Sequence, residues 1–251
     1  MHTAHPLGPR AVIVEAPAKL TRTLRITGVR DDGYHLIDAE MVTLVLADTL
    51  TIDPDGAGLT ADGPFAAGVP LDGGNLVEQA LRLAGRTAGI HLRKEIPHGG
   101  GLGGGSADAA AVLRWAGYGD LVGASRLGAD IAFCLCGGRA RVRGIGEVID
   151  PLPPIALEFT LVVPPLVVST PAAYRAWDEL GGPTADGPND LEHAAIAVVP
   201  ELARWRDRIG DLAGTAPTLA GSGATWFVDG HHPALRALEP AATVVLTRTR
   251  A

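Results

Sequence analysis

Residues 99–105 hold six glycines in seven positions, inside the stretch IPHGGGLGGGSADAAAVLR that spans 96–114. Glycine loses more backbone entropy on ordering than any other residue, so a run this dense belongs where something must approach the main chain closely. Pro97 ends the preceding strand or opens a turn, because it lacks an N–H and restricts its neighbour. Gly99, Gly100, Gly101, Gly103, Gly104 and Gly105 then leave the main chain without side-chain cover. Ser106 is placed to cap a following helix, with Ala109, Ala110, Val112, Leu113 and Ala116 as a narrow packing face. Free N–H groups at such a helix start favour a phosphate. A branched side chain at Gly103 is therefore expected to damage chiefly the use of a phosphate-bearing ligand.

Two common phosphate loops are excluded. No lysine precedes Ser106, so the loop is not a Walker A site. The surrounding chain supplies no convincing strand–helix–strand unit with a ribose-binding acid, which argues against a dinucleotide fingerprint. The balance of 21 basic and 28 acidic residues, a formal charge of -7, argues against a general nucleic-acid partner. No apolar run is long enough for a membrane span, and MHTAHPLGPR lacks the apolar segment of a secretory leader. With two cysteines, Cys134 and Cys136, a reducing cytoplasm is the expected location. Their C-x-C spacing has no second ligand cluster, and His91, His98, His231 and His232 are scattered, so a small apolar core role is favoured over zinc.

The 251 residues suffice for one large domain or two that share an interface. AVIVEA, TRTLRITG and MVTLVLADTLTI read as strands, with a turn expected in VRDDGYHLID. The Gly/Pro-rich residues 53–74 read as a loop, and NLVEQALRLAGRTAG as a helix with Asn75 as its cap. GIHLRKEI reads as a strand entering the glycine loop. PLPPIALE, near 150–155, is the candidate boundary between an N-terminal lobe over 1–153 and a C-terminal lobe over 154–251. Beyond it come LEFTLVVPP as a strand, helical segments around PAAYRAWDEL and LEHAAIAVVPELARWRDRI, and strands in ATWFVDG and ATVVLTR. Without regular strand–helix alternation, an α+β fold of two lobes with a cleft between them is predicted.

The chain resembles the GHMP small-molecule kinases over nearly its whole length. The motifs are APAKLTRTLRITGVRDDGYH, NLVEQA, IPHGGGLGGGSADAA, GADIAFCLCGGRARVRGIGE, VVSTPAAYRAWDEL, NDLE and LAGSGATWFV. The combination of DGYH and GADIAF points, within that family, to kinases of isoprenoid precursor synthesis whose acceptor carries a cytidine diphosphate group. The resemblance implies ATP as phosphoryl donor, bound by Pro97, by residues 99–106 (Leu102 and Ser106 among them) and by Asn75. It also implies Mg²⁺, for which Ser106 is the nearest ligand candidate; Asp108 would act indirectly.

The resemblance further implies Asp130, of the GAD motif, as the carboxylate facing the acceptor hydroxyl, and Lys19 as its cationic partner. A carboxylate there can orient the alcohol and take its proton, while the lysine stabilises charge on the transferring group. Taken alone, without the resemblance, Asp130 reads rather as a helix cap or a loop carboxylate, and Lys19 as an ordinary surface charge. For the acceptor, the resemblance implies that Tyr34 and Tyr174 sandwich the cytosine and that His35 reads its edge. Thr21 stands where the family commonly has Asn, and Gly221, Ser222 and Gly223 would offer N–H groups to the acceptor phosphates. Another GHMP kinase, acting on homoserine or mevalonate, is the alternative enzyme. A silent RNA-binding module is the alternative of another class.

Overall fold

The computed structural model describes residues 10–250; nearly all of the segment read for a secretory leader lies outside them. β1 (Val12–Val29) and β2 (His35–Asp53) pair antiparallel along their whole lengths. AVIVEA and TRTLRITG are thus one strand rather than two. Pro17 does not break it, because the proline falls at a register irregularity between Pro17 and Lys19, where no ladder N–H is required. β3 (Leu59–Asp62) lies within the stretch expected to be a loop. It runs parallel to β4 (Gly89–Arg93), and its inward Leu59 and Ala61 give an alternation too short to stand out among the flanking turn residues.

Sequence reading also missed β5 (Arg139–Gly144) and β6 (Val148–Pro151), whose alternating arginines and aspartate face outward. The first sheet has the order β3-β4-β2-β5-β6, with β1 on the other edge of β2. A second, antiparallel sheet contains β7 (Glu158–Val163), β8 (Thr218–Leu219), β9 (Trp226–Asp229) and β10 (Thr243–Arg248), ordered β10-β7-β9-β8.

The helices are α1 (Leu76–Leu83), α2 (Gly104–Trp115), α3 (Leu121–Ser125), α4 (Ala129–Cys136), α5 (Thr170–Glu179), α6 (Glu192–Val198) and α7 (Glu201–Ala213). The single helical stretch read over LEHAAIAVVPELARWRDRI is two helices, divided at Pro200. α2 is not striped: every residue from Ala107 to Leu113 is buried, because the helix passes between α1, α4 and the first sheet. Small side chains allow that close approach on all sides.

The two sheets share a core. Ala18, Leu20, Val42, Leu44, Ile96 and Leu102 pack against Phe159, Leu161, Val163, Ala220 and Phe227, with the two phenylalanines edge to face at 5.8 Å. This shared core lies at the irregularity of the β1–β2 ladder. Here Lys19 N–H donates to the carbonyl of Leu102 (3.0 Å), Thr43 N–H to Gly138, and Arg250 N–H to Thr43. The interruption lets the glycine loop and the end of the second sheet dock onto the middle of the first. It also aims Lys19 out of the ladder.

Candidate active site

Lys19 and Asp130 meet although 111 positions separate them in the chain, as the difference 130 − 19 gives. Lys19 Nζ lies 3.1 Å from Asp130 Oδ2 and donates to Thr21 Oγ1 at 3.0 Å. The lysine side chain is 6% exposed and the aspartate 31%, so the cation is enclosed while the carboxylate faces outward. Asp130 is the second residue of α4, whose N-terminal dipole favours a negative charge. The cap position belongs to Gly128, so Asp130 is free of that duty.

The glycine loop joins this pair on one side. Gly103 has φ +70°, and a Cβ there would come within 2.8 Å of Lys19 Cγ. A Cβ on Gly101 would fall 2.5 Å from the carbonyl of Ala220, and one on Gly100 would meet Thr225 Oγ1 at 2.4 Å. Several glycines therefore admit the protein's own chain, a cause the sequence does not display. Leu102 is likewise structural in its side chain, which is buried in the shared core. Pro97 and Gly100 are buried, while Gly99 and Gly105 are exposed.

Ser106 is not the cap of α2. The helix starts two residues earlier, and Gly103, in the left-handed conformation, holds the cap position without a side-chain bond. The glycines permit that earlier start, and Ala107 N–H closes the first turn onto Gly103 (2.8 Å). The N–H groups of Gly104, Gly105 and Ser106 make no hydrogen bond among the described residues, which leaves three donors for an anion. Ser106 Oγ lies 3.8 Å from where a Cβ on Gly128 would stand, so its hydroxyl faces the start of the helix that carries Asp130.

This geometry changes the expectation for Gly103. Gly103→Ala should lower kcat roughly 10-fold at saturating nucleotide, because the new methyl displaces Lys19 from Asp130 by a fraction of an ångström. Steady-state kinetics check it. A change confined to the KM for ATP would show that the glycine serves only the nucleotide.

Asn75 caps α1: its Oδ1 accepts from Val77 N–H (2.9 Å) and its amide donates to Pro70 (2.6 Å). A Cβ on Gly105 would be 3.6 Å from Leu76, so this cap borders the glycine loop. Asp108, expected in the first turn, is the fifth helical residue and 2% exposed. It and Asp48 both accept from Lys94 Nζ, and Asp48 Oδ1 also accepts from the N–H groups of Glu95 (2.5 Å) and Ile96 (2.8 Å). Burial, with the Asp48 charge, outweighs the attraction of Lys94 and pushes the Asp108 carboxyl up to about 7. Sequence reading missed this buried triad, since none of its members stands out by spacing.

The acceptor side gathers around His35. Its Nε2 pairs with Asp178 Oδ1 at 2.8 Å. Its ring lies 4.7 Å from that of Tyr174 and meets Trp177 edge to face at 5.6 Å. Of the two tyrosines expected to flank the cytosine, Tyr174 packs on His35 and Tyr34 is exposed beside it in the chain. Tyr34 follows Gly33 (φ +84°) at the tip of the β1–β2 turn and is 59% exposed, while His35 occupies the place against Tyr174. Burial and the nearby Asp130 charge push the Tyr174 hydroxyl up to about 12, which ties the aromatic group electrostatically to the Lys19–Asp130 pair.

The late glycine loop lies across from this group. A Cβ on Gly221 would be 3.6 Å from Thr21 Oγ1 and 3.7 Å from Lys19 Nζ, and Ser222 Oγ is 2.8 Å from Thr170 Oγ1. Gly223 faces Leu219 and Val168. Asn189, from NDLE, donates to the carbonyls of Leu219 (2.8 Å) and Gly221 (2.7 Å), and Asp190 accepts from Ile26 N–H (2.9 Å). These two buried residues position the loop against β1, a role the motif alone did not disclose.

Cys134 is buried and its thiol pushed up to about 12 by that burial, whereas Cys136 is exposed, against the expectation of a core place for both. Cys136 is the last residue of α4, just before the Gly137 cap, and lies outside the core that takes in Cys134 and, in part, Leu135. Among the described residues, no group of three or more His, Cys, Asp or Glu is placed to hold a metal, and no helix is long and apolar enough to cross a membrane.

A glycine-bounded helix start, an enclosed lysine and a carboxylate thus meet at one place, and residues 75–138 match the GHMP kinases N terminal domain. The chain is 42% identical over 235 residues to the 4-diphosphocytidyl-2-C-methyl-D-erythritol kinase of Paracoccus denitrificans, covering 84% of each chain. It is 39% identical to that of Ruegeria pomeroyi, over 88% of this chain and 91% of that one. A crystal structure of 4-(cytidine 5'-diphospho)-2C-methyl-D-erythritol kinase superposes with a TM-score of 0.77 at 32% identity, over 96% of this chain and all of that one. A homoserine kinase from Cytophaga hutchinsonii, at 16% identity and TM-score 0.61, shares the fold. The protein is a GHMP kinase, an ATP-dependent phosphotransferase. Within that class it belongs to the 4-diphosphocytidyl-2-C-methyl-D-erythritol kinase family.

Proposed function

We propose that the protein transfers the γ-phosphoryl group of ATP to the 2-hydroxyl of 4-diphosphocytidyl-2-C-methyl-D-erythritol, a step of the non-mevalonate route to isoprenoid precursors in the cytoplasm. The observation that carries this reading is the 3.1 Å Lys19–Asp130 pair, with free helix N–H groups on one side and a histidine–aromatic group on the other. Asp130 orients the acceptor hydroxyl and accepts its proton. Lys19, held by Asp130 and Thr21, neutralises charge that develops on the transferring group. The N–H groups of residues 104–106 hold the ATP phosphates, and Gly221, Ser222 and Gly223 border the acceptor diphosphate.

The Ser106 hydroxyl suits Mg²⁺: it is a hard oxygen, its Oγ lies 3.8 Å from where a Cβ on Gly128 would stand at the start of α4, and Mg²⁺ would take its other ligands from phosphate and water. Bound there, the ion would offset phosphate charge. ATP consumption measured with and without the cytidine-bearing acceptor tests the function. Turnover should require that acceptor, and equal turnover with homoserine or mevalonate would assign another GHMP activity.

Tyr174→Ala tests the acceptor site. Loss of this stacking face should weaken the cytidine-bearing acceptor by roughly 1–3 kcal/mol and leave ATP affinity within about twofold. Isothermal titration with each ligand separates the two. Equal losses would move the base away from Tyr174.

A further inference from the structure

Tyr174, Trp177 and Asp178 stand at positions i, i+3 and i+4 of α5, so one helix face presents all three to a single side chain of β2. That side chain is His35. Tyr174 lies against its ring, Trp177 meets it edge on, and Asp178 Oδ1 holds its Nε2 at 2.8 Å. Trp177 is itself fixed, its indole N–H donating to the carbonyl of Pro183 at 2.9 Å. The imidazole is 9% exposed. Its Nδ1 makes no hydrogen bond among the described residues and is not sealed from solvent. One ring nitrogen is therefore committed and the other is left for a ligand.

We infer that Asp178 is a specificity-determining positioning residue: by accepting the proton of His35 Nε2, it fixes Nδ1 as an acceptor and so selects cytosine over uracil in the acceptor substrate. The inference rests on the proposed cytidine site and deepens it. A neutral imidazole carries one N–H and one lone pair, and whichever nitrogen is held by an acceptor keeps the hydrogen. A carboxylate is acceptor-only, so Asp178 leaves a lone pair at Nδ1. Cytosine offers an exocyclic amino donor where a uracil-type base offers a carbonyl oxygen. The first completes a hydrogen bond with Nδ1. The second sets two lone pairs against each other, and a site built around a hydrogen bond rejects strongly the analogue that cannot make it. Asp178 touches no substrate in this scheme; it acts only through His35.

The test compares the cytidine-bearing acceptor with its uridine counterpart in the full-length enzyme and in Asp178→Ala, Asp178→Asn and His35→Ala. In Asp178→Ala the cytidine-to-uridine ratio of kcat/KM should fall ~10-fold or more, the scale of one specific hydrogen bond. The loss should lie mainly in the KM for the cytidine acceptor, with the KM for ATP unaffected. Asp178→Asn retains a carbonyl oxygen that can accept from Nε2 and should keep most of the ratio. Histidine ¹⁵N spectra should show Nε2 protonated and Nδ1 bare in the parent enzyme, and averaging of the two in Asp178→Ala. A ratio that survives in Asp178→Ala but collapses in His35→Ala overturns the role of Asp178 and spares the cytidine site. A ratio unchanged in both overturns the cytidine reading beneath it. An equal fall in Asp178→Asn and Asp178→Ala overturns the acceptor assignment.

Discussion

Asp130→Asn should slow phosphoryl transfer by ~10²-fold or more, the usual scale for a positioned general base and about 2.7 kcal/mol of barrier. The substitution nearly preserves size while removing charge and basicity. It leaves Lys19, almost enclosed, without its counter-charge and with only neutral acceptors, Thr21 Oγ1 and the new amide oxygen, so the lysine should also lose alignment. Substrate binding should survive, since the free N–H groups at the start of α2 and the His35–Tyr174 contact are untouched. Single-turnover transfer with both substrates saturating measures the effect, with ligand affinities and folding as controls. Lys19→Ala should also lower the rate, by a sum of lost charge stabilisation and a disturbed Asp130. Near-normal chemistry in Asp130→Asn would remove the base role and leave only alignment of the hydroxyl, which a loose phosphoryl-transfer transition state permits.

The residues that make this prediction possible were legible in sequence only through their motifs. A lone Asp130 or Lys19 carries no signal of its partner, because the contact depends on how β1 is interrupted at Lys19 and how α4 enters beside it. The glycine loop was legible as a close-approach segment, but not what approaches: Ala220, Thr225 and Lys19 crowd it as well as any ligand. β3 and the β5–β6 hairpin escaped notice because short strands with outward charges lack a long apolar period. Ser106 was misplaced by one helical turn because three glycines can adopt helical or left-handed backbone equally well, and sequence does not say which. In contrast, Asn75 and α1, or the helix over PAAYRAWDEL, follow local rules of capping and periodicity that tertiary packing did not override. The His35 pocket is intermediate. YRAWD displays its i, i+3, i+4 face plainly, yet only the β1–β2 turn brings His35 onto it.

Lys94→Met should destabilise the folded protein by about 3–5 kcal/mol, the cost of removing one partner from a buried ion pair. The triad has one cation for two carboxylates, all nearly inaccessible, and without Lys94 the buried Asp48 and Asp108 face each other unneutralised. Asp108→Asn should be far milder, because Lys94 keeps Asp48 and the pair becomes neutral overall. Asp108 also has one carboxylate oxygen, Oδ1, without a partner. Urea unfolding of the single variants and of Lys94→Met/Asp108→Asn supplies the cycle: the double variant should be more stable than Lys94→Met alone. The pH dependence has a definite sign. In the folded state Asp108 holds its proton up to about 7, against an ordinary value of 3.8, so its contribution to stability is full below about 4 and lost as pH rises through about 7. Asp108→Asn removes that titration, and its stability relative to the parent should rise between pH 4 and 7. A constant difference across that range would place the titration elsewhere. The cost extends to function because Asp48 holds the N–H groups of Glu95 and Ile96, the last residues before Pro97 and the glycine loop. Weakening the triad loosens both the strand that enters the loop and the helix that leaves it, so the KM for ATP should rise with the loss of stability while acceptor affinity changes less.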